Sequence, residues 1–308
     1  MRTVGPQTIG VVVPMYNGAL TIERTLASIC TQTYSDLDIV VINDGSTDQS
    51  SSVVQRWPDP RVRLITKMNA GVSAARNAGV AATAAPYLAF CDADDIWKPG
   101  KLAAQMDMLS NYPDALVWCW YDEIDTDGNV SHLGEMSSEE SLDALCRWNI
   151  IGAGGSSMLI SRRIFNLSSG FDTTLQGAED YSFALEIAEK YPLKVVRERL
   201  LSYRITATNT SSDVRKLYMY LINVLDRFAI KRPEYKADLD VHRRVAAVAY
   251  YYRSLQLADY SAARFFYGEL AQLGALCAGL RRNFVRSWLK NVCKGSLGLT
   301  KTASSTRS

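Results

Sequence analysis

The chain has 308 residues, 47% apolar and 21% charged, with a formal net charge of +2. That composition excludes a disordered chain, a collagen and a disulfide scaffold, and so small a net charge gives no global field to attract nucleic acid. The charge is unevenly placed: residues 271–308 hold seven basic residues and no acid, which leaves 27 basic against 32 acidic residues, or −5, over the first 270.

The six cysteines are scattered, without a CxxC pair, and fit reduced, mostly buried thiols better than disulfides or a zinc site. The N-terminal run Ile9–Val13 is too short for a signal-peptide core. No stretch reaches the roughly 18 apolar residues needed to span a bilayer. A cytoplasmic chain is expected, or one held peripherally on the inner face of the cytoplasmic membrane.

In chain order, Ile9–Val13 (IGVVV) is a β-branched run typical of a strand buried on both faces. Ile22, Leu26 and Ile29 follow at helical spacing. Asp38–Ile42 is a second buried strand, and Asn43–Asp48 (NDGSTD) a turn rich in capping residues. Val62–Thr66 is a third strand, Val72–Ala82 an Ala-rich helix, and Tyr87–Cys91 a fourth strand running into Asp92-Ala93-Asp94-Asp95. Ala115–Tyr121 and Ser156–Ile160 read as further strands, Ala178–Lys190 as a helix, and Lys194–Arg197 with Leu200–Tyr203 as extended chain. Strand–helix alternation predicts an α/β fold, a mostly parallel sheet flanked by helices. Beyond about residue 212 strand signals vanish, and helices are expected near 214–230, 235–257, 261–278 and 281–293. Two regions follow: 1–211 and a helical extension, 212–308.

Ligands of such sheets bind beyond the carboxyl ends of the strands. Asp44 and the Asp92–Asp95 cluster each follow a predicted strand, so they can share one crevice although about fifty residues apart. Three acids within four residues repel and resist desolvation. A divalent cation, Mg²⁺ or Mn²⁺, would relieve that repulsion. A solvated acidic turn before the helix near Pro99 is the plain alternative. Arg76 and Asn77 stand on an otherwise small-residue helix, and Glu179-Asp180 at a helix start, where acids are favoured in any case.

The ordered set VVVPMYNG, VINDGSTD, NAGVSAARNAG, YLAFCDADD with Trp97, SSGFD at 168–172 and GAEDYSF at 177–183 resembles glycosyltransferase family 2, inverting nucleotide-sugar enzymes of the GT-A fold. The resemblance covers residues 8 to about 210. It implies a nucleotide-diphosphate sugar donor, bound by Pro14, Tyr16 and Asp44 at the base, Arg76 near base and diphosphate, Asp92 near the ribose and Asp94 at the cation. Asp94, with Asp92 as a second candidate, would hold the Mn²⁺ or Mg²⁺. Asp180 matches the base that deprotonates the acceptor, and Gly155, Ser156, Asp172 and Glu179 fall on acceptor-side segments. The family's Tyr-Arg-x-His is here Tyr203-Arg204-Ile205-Thr206, so Thr206 replaces a potential metal ligand.

The resemblance implies sugar transfer to a saccharide or lipid-linked saccharide in cell-surface polysaccharide, O-antigen or glycolipid assembly. A nucleotidyltransferase is the first alternative, but such enzymes carry a basic Gly-rich loop where Pro14–Gly18 has no basic residue. A non-catalytic nucleotide-sugar binding module is the second. In the tail, Phe284, Trp288 and Val292 recur beside Arg281, Arg282, Arg286, Lys290 and Lys294. Residues 281–294 read as an amphipathic basic helix suited to an anionic membrane surface. Packing or homo-oligomerisation through the extension is the bland reading. No nucleic-acid partner is expected.

Overall fold

The computed structural model describes residues 4–132, 137–205 and 213–275. Strand β1 (Ile9–Met15) leads through α1 (Ile22–Cys30) to β2 (Leu37–Asp44), α2 (Ser50–Gln55) and β3 (Val62–Lys67). Helix α3 (Val72–Ala82) returns the chain to β4 (Tyr87–Phe90), and the short β5 (Ile96–Trp97) precedes α4 (Lys101–Asn111). Then come β6 (Leu116–Ile124), β7 (Val130–His132), α5 (Leu142–Arg147), β8 (Leu159–Ser161), α6 (Arg162–Asn166), α7 (Glu179–Ala188) and β9 (Leu193–Arg204). Three helices close the described chain: α8 (Val214–Lys231), α9 (Lys236–Gln256) and α10 (Tyr260–Gln272).

One sheet runs in the order β3-β2-β1-β4-β8-β6-β9-β5, with β7 beside β6. Strands β1 to β4 are parallel; β8 pairs antiparallel with both β4 and β6, and β9 runs parallel to β6. The expected strand over 156–160 begins later. Gly154–Ser157 forms a 3-10 turn, because Ala153 and Gly154 both adopt left-handed backbone, and pairing starts only at Leu159. The parallel half is the switch region where β1 has neighbours reached by opposite crossovers, so a crevice opens at its carboxyl edge.

Every residue of β1 and β2 is buried. Strand periodicity sends Val11, Val13, Ile39 and Val41 to the face covered by α1 and α4, and Val12, Val40 and Ile42 to the opposite face. Helix α3 lies on that second face, and Gly79 is what lets it approach. A Cβ there would stand 2.2 Å from Val12 Cγ1.

Helices α8–α10 do not form a core of their own. Tyr218, Leu225, Leu239, Tyr251 and Phe266 join Leu116, Trp118, Phe183 and Leu185 in one apolar cluster beneath the sheet. Tyr220 of α8 sits against Gly177, where a Cβ would lie 2.2 Å from its ring. Among the described residues no helix is long and apolar enough to cross a membrane.

Gly79→Ala should destabilise the fold by about 1–3 kcal/mol, since the added methyl meets a stiff, fully buried valine. Urea unfolding of both proteins measures it.

Candidate active site

The loops after β1 and β2 are stitched together. Asn17, held at φ 50°, accepts from Thr47 N at 2.8 Å, and its own N–H donates to Ser46 Oγ at 3.0 Å. Gly18 N donates to Ser50 Oγ at 2.8 Å and Ala19 N to Asp48 Oδ2 at 3.1 Å. Pro14 is buried at the end of β1, while Tyr16 beyond it is 55% exposed over the crevice loops.

Asp44 is not an open acceptor. Its carboxylate accepts from Lys67 Nζ at 2.5 Å, Ala70 N at 3.0 Å and Gly71 N at 2.8 Å. The acid expected at the base thus also anchors the loop that launches α3. The physical reason is burial: at 3% exposure the charge needs partners, and Lys67 at the end of neighbouring β3 supplies one.

Helix α3 carries Arg76 into the centre of the site. The guanidinium is 2% exposed, and gives Nη2 to Asp92 Oδ1 at 2.7 Å and Nη1 to Glu179 Oε1 at 2.5 Å. Burial alone would weaken its hold on the proton, but Asp92, Glu179 and Asp180 reverse this and raise its pKa. Two carboxylates 16 and 103 residues from Arg76 thus meet on one cation.

Asp180 stands beside Glu179 on the first turn of α7, half-buried, with Oδ1 accepting from Tyr181 N at 2.6 Å. Burial, reinforced by Glu179, lifts its carboxyl to about 6 against the pull of Arg76. The 3-10 turn runs directly alongside. A Cβ on Gly154 would lie 2.1 Å from Asp180 Oδ2, and one on Gly155 3.0 Å from the Arg76 guanidinium. Ser156, expected on the acceptor side, is fully buried: its Oγ accepts from Asp92 N at 2.9 Å and its carbonyl from Trp97 Nε1 at 3.0 Å. It is a strut under the acidic turn. Glu179, also expected there, is buried on Arg76. Asp172 pairs with Arg227 of α8 at 3.1 Å and lines a cleft of about 380 Å³ with Asn77, Phe183 and Glu186.

The acidic turn is held from behind by Arg204, which the sequence reading left without a role. Its Nε donates to the Asp94 carbonyl at 2.9 Å, its Nη1 to the carbonyls of Asp125 and Thr126, and its backbone N–H to Asp95 Oδ1 at 3.0 Å. The short pairing of β5 with Leu201–Ser202 brings the two segments together. An arginine directly after the extended run 200–203 was the available signal. Burial and the charge of Asp92 raise the Asp94 carboxyl to about 6. Asp95 is fully buried and raised further, by burial and then by Asp94 and Asp92, with Oδ2 lacking a hydrogen-bond partner.

No cluster of three His, Cys, Asp or Glu side chains among the described residues is arranged to hold a metal alone. A cation shared between one or two carboxylates and substrate phosphates needs no such cage. Repelling carboxyls at Asp92 and Asp94 fit that demand. Thr206 and residues 281–294 lie outside the described residues.

Residues 10–167, about half the chain, match the family profile of Glycosyl transferase family 2, and the chain belongs to that family. It is 26% identical over 211 residues to the glycosyltransferase RP339 of Rickettsia prowazekii, covering 66% of each chain. It is 27% identical over 226 residues to the chondroitin synthase of Pasteurella multocida, covering 70% of this chain but 23% of that longer one. Among solved structures, the mannosyltransferase PcManGT from Pyrobaculum calidifontis in complex with GDP-Man and Mn²⁺ superposes with a TM-score of 0.62 at 21% identity, covering 94% of this chain and 88% of that one. TarS of S. aureus (residues 1–349, with UDP-GlcNAc) gives 0.59 at 16% identity, over 72% and 66%. The fold is that of the GT-A glycosyltransferases.

Arg76→Met should cost about 3–5 kcal/mol, because Glu179 would stay buried without its cation. Arg76→Lys should recover only part of it, since the shorter lysine offers one nitrogen where the guanidinium gives a separate one to each carboxylate in a fixed plane. Denaturant midpoints for the three proteins check both.

Proposed function

We propose that the chain is an inverting glycosyltransferase that moves a sugar from a nucleoside diphosphate to a hydroxyl of a saccharide or lipid-linked saccharide. The observation that carries this reading is the carboxylate of Asp180, half-buried and raised to about 6, beside Arg76, Asp92 and Glu179. A general base tuned toward neutral pH is what proton removal from an alcohol requires.

In this reading the nucleoside lies across the stitched loops, with Pro14 and Tyr16 at the base. Asp44 stands with them at the base, and through the 67–71 loop and α3 it also keeps Arg76 in place. Asp92 and Asp94 face the ribose and diphosphate. Asp94, with Asp92 as a second candidate, would hold a divalent cation, which would supply charge neutralisation for the leaving nucleotide. The acceptor oxygen bonds to the anomeric carbon as the bond to the diphosphate oxygen breaks. The acceptor proton passes to Asp180, and one displacement inverts the anomeric centre.

Residues 1–211 carry this chemistry, and the extension from 212 supports it. The donors named for the structural neighbours, GDP-Man and UDP-GlcNAc, support the class of donor. Similarity to chondroitin and hyaluronan synthases supports a role in building surface glycans. The acidic turn and the Mn²⁺ of the mannosyltransferase complex support a metal requirement.

A screen of nucleotide sugars, read by nucleoside diphosphate release with and without Mn²⁺ or Mg²⁺, tests the reading. With the donor it identifies, Asp180→Asn should lower transfer about 10²- to 10⁴-fold while donor binding persists. Wild-type kcat/KM should fall as pH drops through about 6, because protonated Asp180 cannot accept the hydroxyl proton. Asp94→Asn should raise the metal concentration needed for half-maximal rate. Full transfer by both variants would remove the assignment.

A further inference from the structure

We infer that Tyr181 and His242 are positioning residues: together they lock the first turn of α7 to α5 and α9, and so set where the Asp180 carboxylate stands. The inference rests on the reading of Asp180 as the base, and adds a role for the helical extension, whose described residues 213–275 supply none of the crevice loops described above.

Tyr181 follows Asp180 directly and is 2% exposed. Its hydroxyl donates to the Leu145 carbonyl of α5 at 2.9 Å and lies 3.1 Å from His242 Nδ1 of α9. The two rings meet edge to face at 5.4 Å, and the Trp148 ring also packs against the imidazole, tilted, at 5.6 Å. His242 itself is 1% exposed. Burial lowers its pKa to about 4, so the ring is neutral across the working range of the enzyme.

The start of α7 needs this support. Ala178, its N-cap, sits at φ 55° and ψ 24°, a left-handed conformation that is unfavourable for a residue with a Cβ. Gly177 before it is pressed against Tyr220 of α8. Asp180 has little room to drift: one oxygen accepts from its own helix and the other faces Gly154. The far end of α7 is gripped as well, with Glu189 accepting from Lys231 and Arg232, each at 2.6 Å. The extension thus fixes α7 at both ends, and Tyr181–His242 is the grip nearest the base. A displacement of about 1 Å at a reacting group can cost on the order of 100-fold in rate.

The test uses the full chain with Tyr181→Phe, His242→Phe, His242→Gln and the Phe/Phe double variant. Rates are normalised to active sites counted by titration with UDP and GDP. Tyr181→Phe and His242→Phe should each lower kcat about 10- to 100-fold, with donor KM within about twofold of wild type. The double variant should be no slower than the slower single one, and His242→Gln, which keeps a polar group toward the hydroxyl, should recover part of the rate. Tyr181→Phe preserves the ring and decides the matter if His242→Phe does not fold. Unchanged kcat per site in Tyr181→Phe, or a loss carried by donor KM instead of kcat, overturns the inference. Asp180→Asn run alongside separates the two claims: if it keeps wild-type kcat the base reading fails, and if it is inactive while Tyr181→Phe keeps its rate, only the positioning role fails.

Discussion

The guanidinium of Arg76 is closed off from solvent at the meeting point of three segments that share no local sequence. It reaches the turn after β4 through Asp92 and the start of α7 through Glu179. Neither fork can be given up cheaply, because each partner is a carboxylate brought to a place where water no longer solvates it fully. The rest of the site follows from this cation. Gly155 has no side chain because the guanidinium occupies that space, and Gly154 has none because Asp180 does.

Behind Arg76 lies a chain of support that begins at the other edge of the crevice. Asp44 holds the amides of Ala70 and Gly71, those residues launch α3, and α3 delivers the arginine. Asp92 is braced by Ser156, and the Asp94-Asp95 turn by Arg204. Six carboxyls, those of Asp44, Asp92, Asp94, Asp95, Glu179 and Asp180, therefore crowd the carboxyl ends of the sheet, with two buried arginines in contact with the turn that bears three of them. The cations neutralise only part of that charge. Burial first, and then the charge that remains, raises Asp94, Asp95 and Asp180, and leaves a field suited to a divalent ion and poised for proton transfer.

Much of this was legible in the residue pattern. The apolar runs at 9–13 and 38–42 announce strands buried on both faces, and the acidic turn after Tyr87–Cys91 announces itself by charge density. The helix over 72–82 is where its alanines and glycines place it. Partners far apart in sequence were not legible. Nothing in the spacing of Arg76 and Glu179 says that 103 residues of chain close between them. Asp44 and Ser156 sit in the loops that the resemblance assigns to donor and acceptor, and the buried hydrogen bonds each also makes within the protein were not legible from spacing. The helical extension showed only as a change of texture, since the sharing of one core by Tyr218, Trp118 and Phe183 is a property of packing and not of periodicity.

In the proposed function the sugar moves by a single displacement, with Asp180 drawing the proton from an acceptor that approaches opposite the departing nucleotide. Proton NMR of the first-formed product, recorded before the reducing ends equilibrate, tests this most directly. The glycosidic linkage should carry the anomeric configuration opposite to that of the donor. A product that keeps the donor's configuration would require two displacements or a front-side path, and would contradict the role given to Asp180.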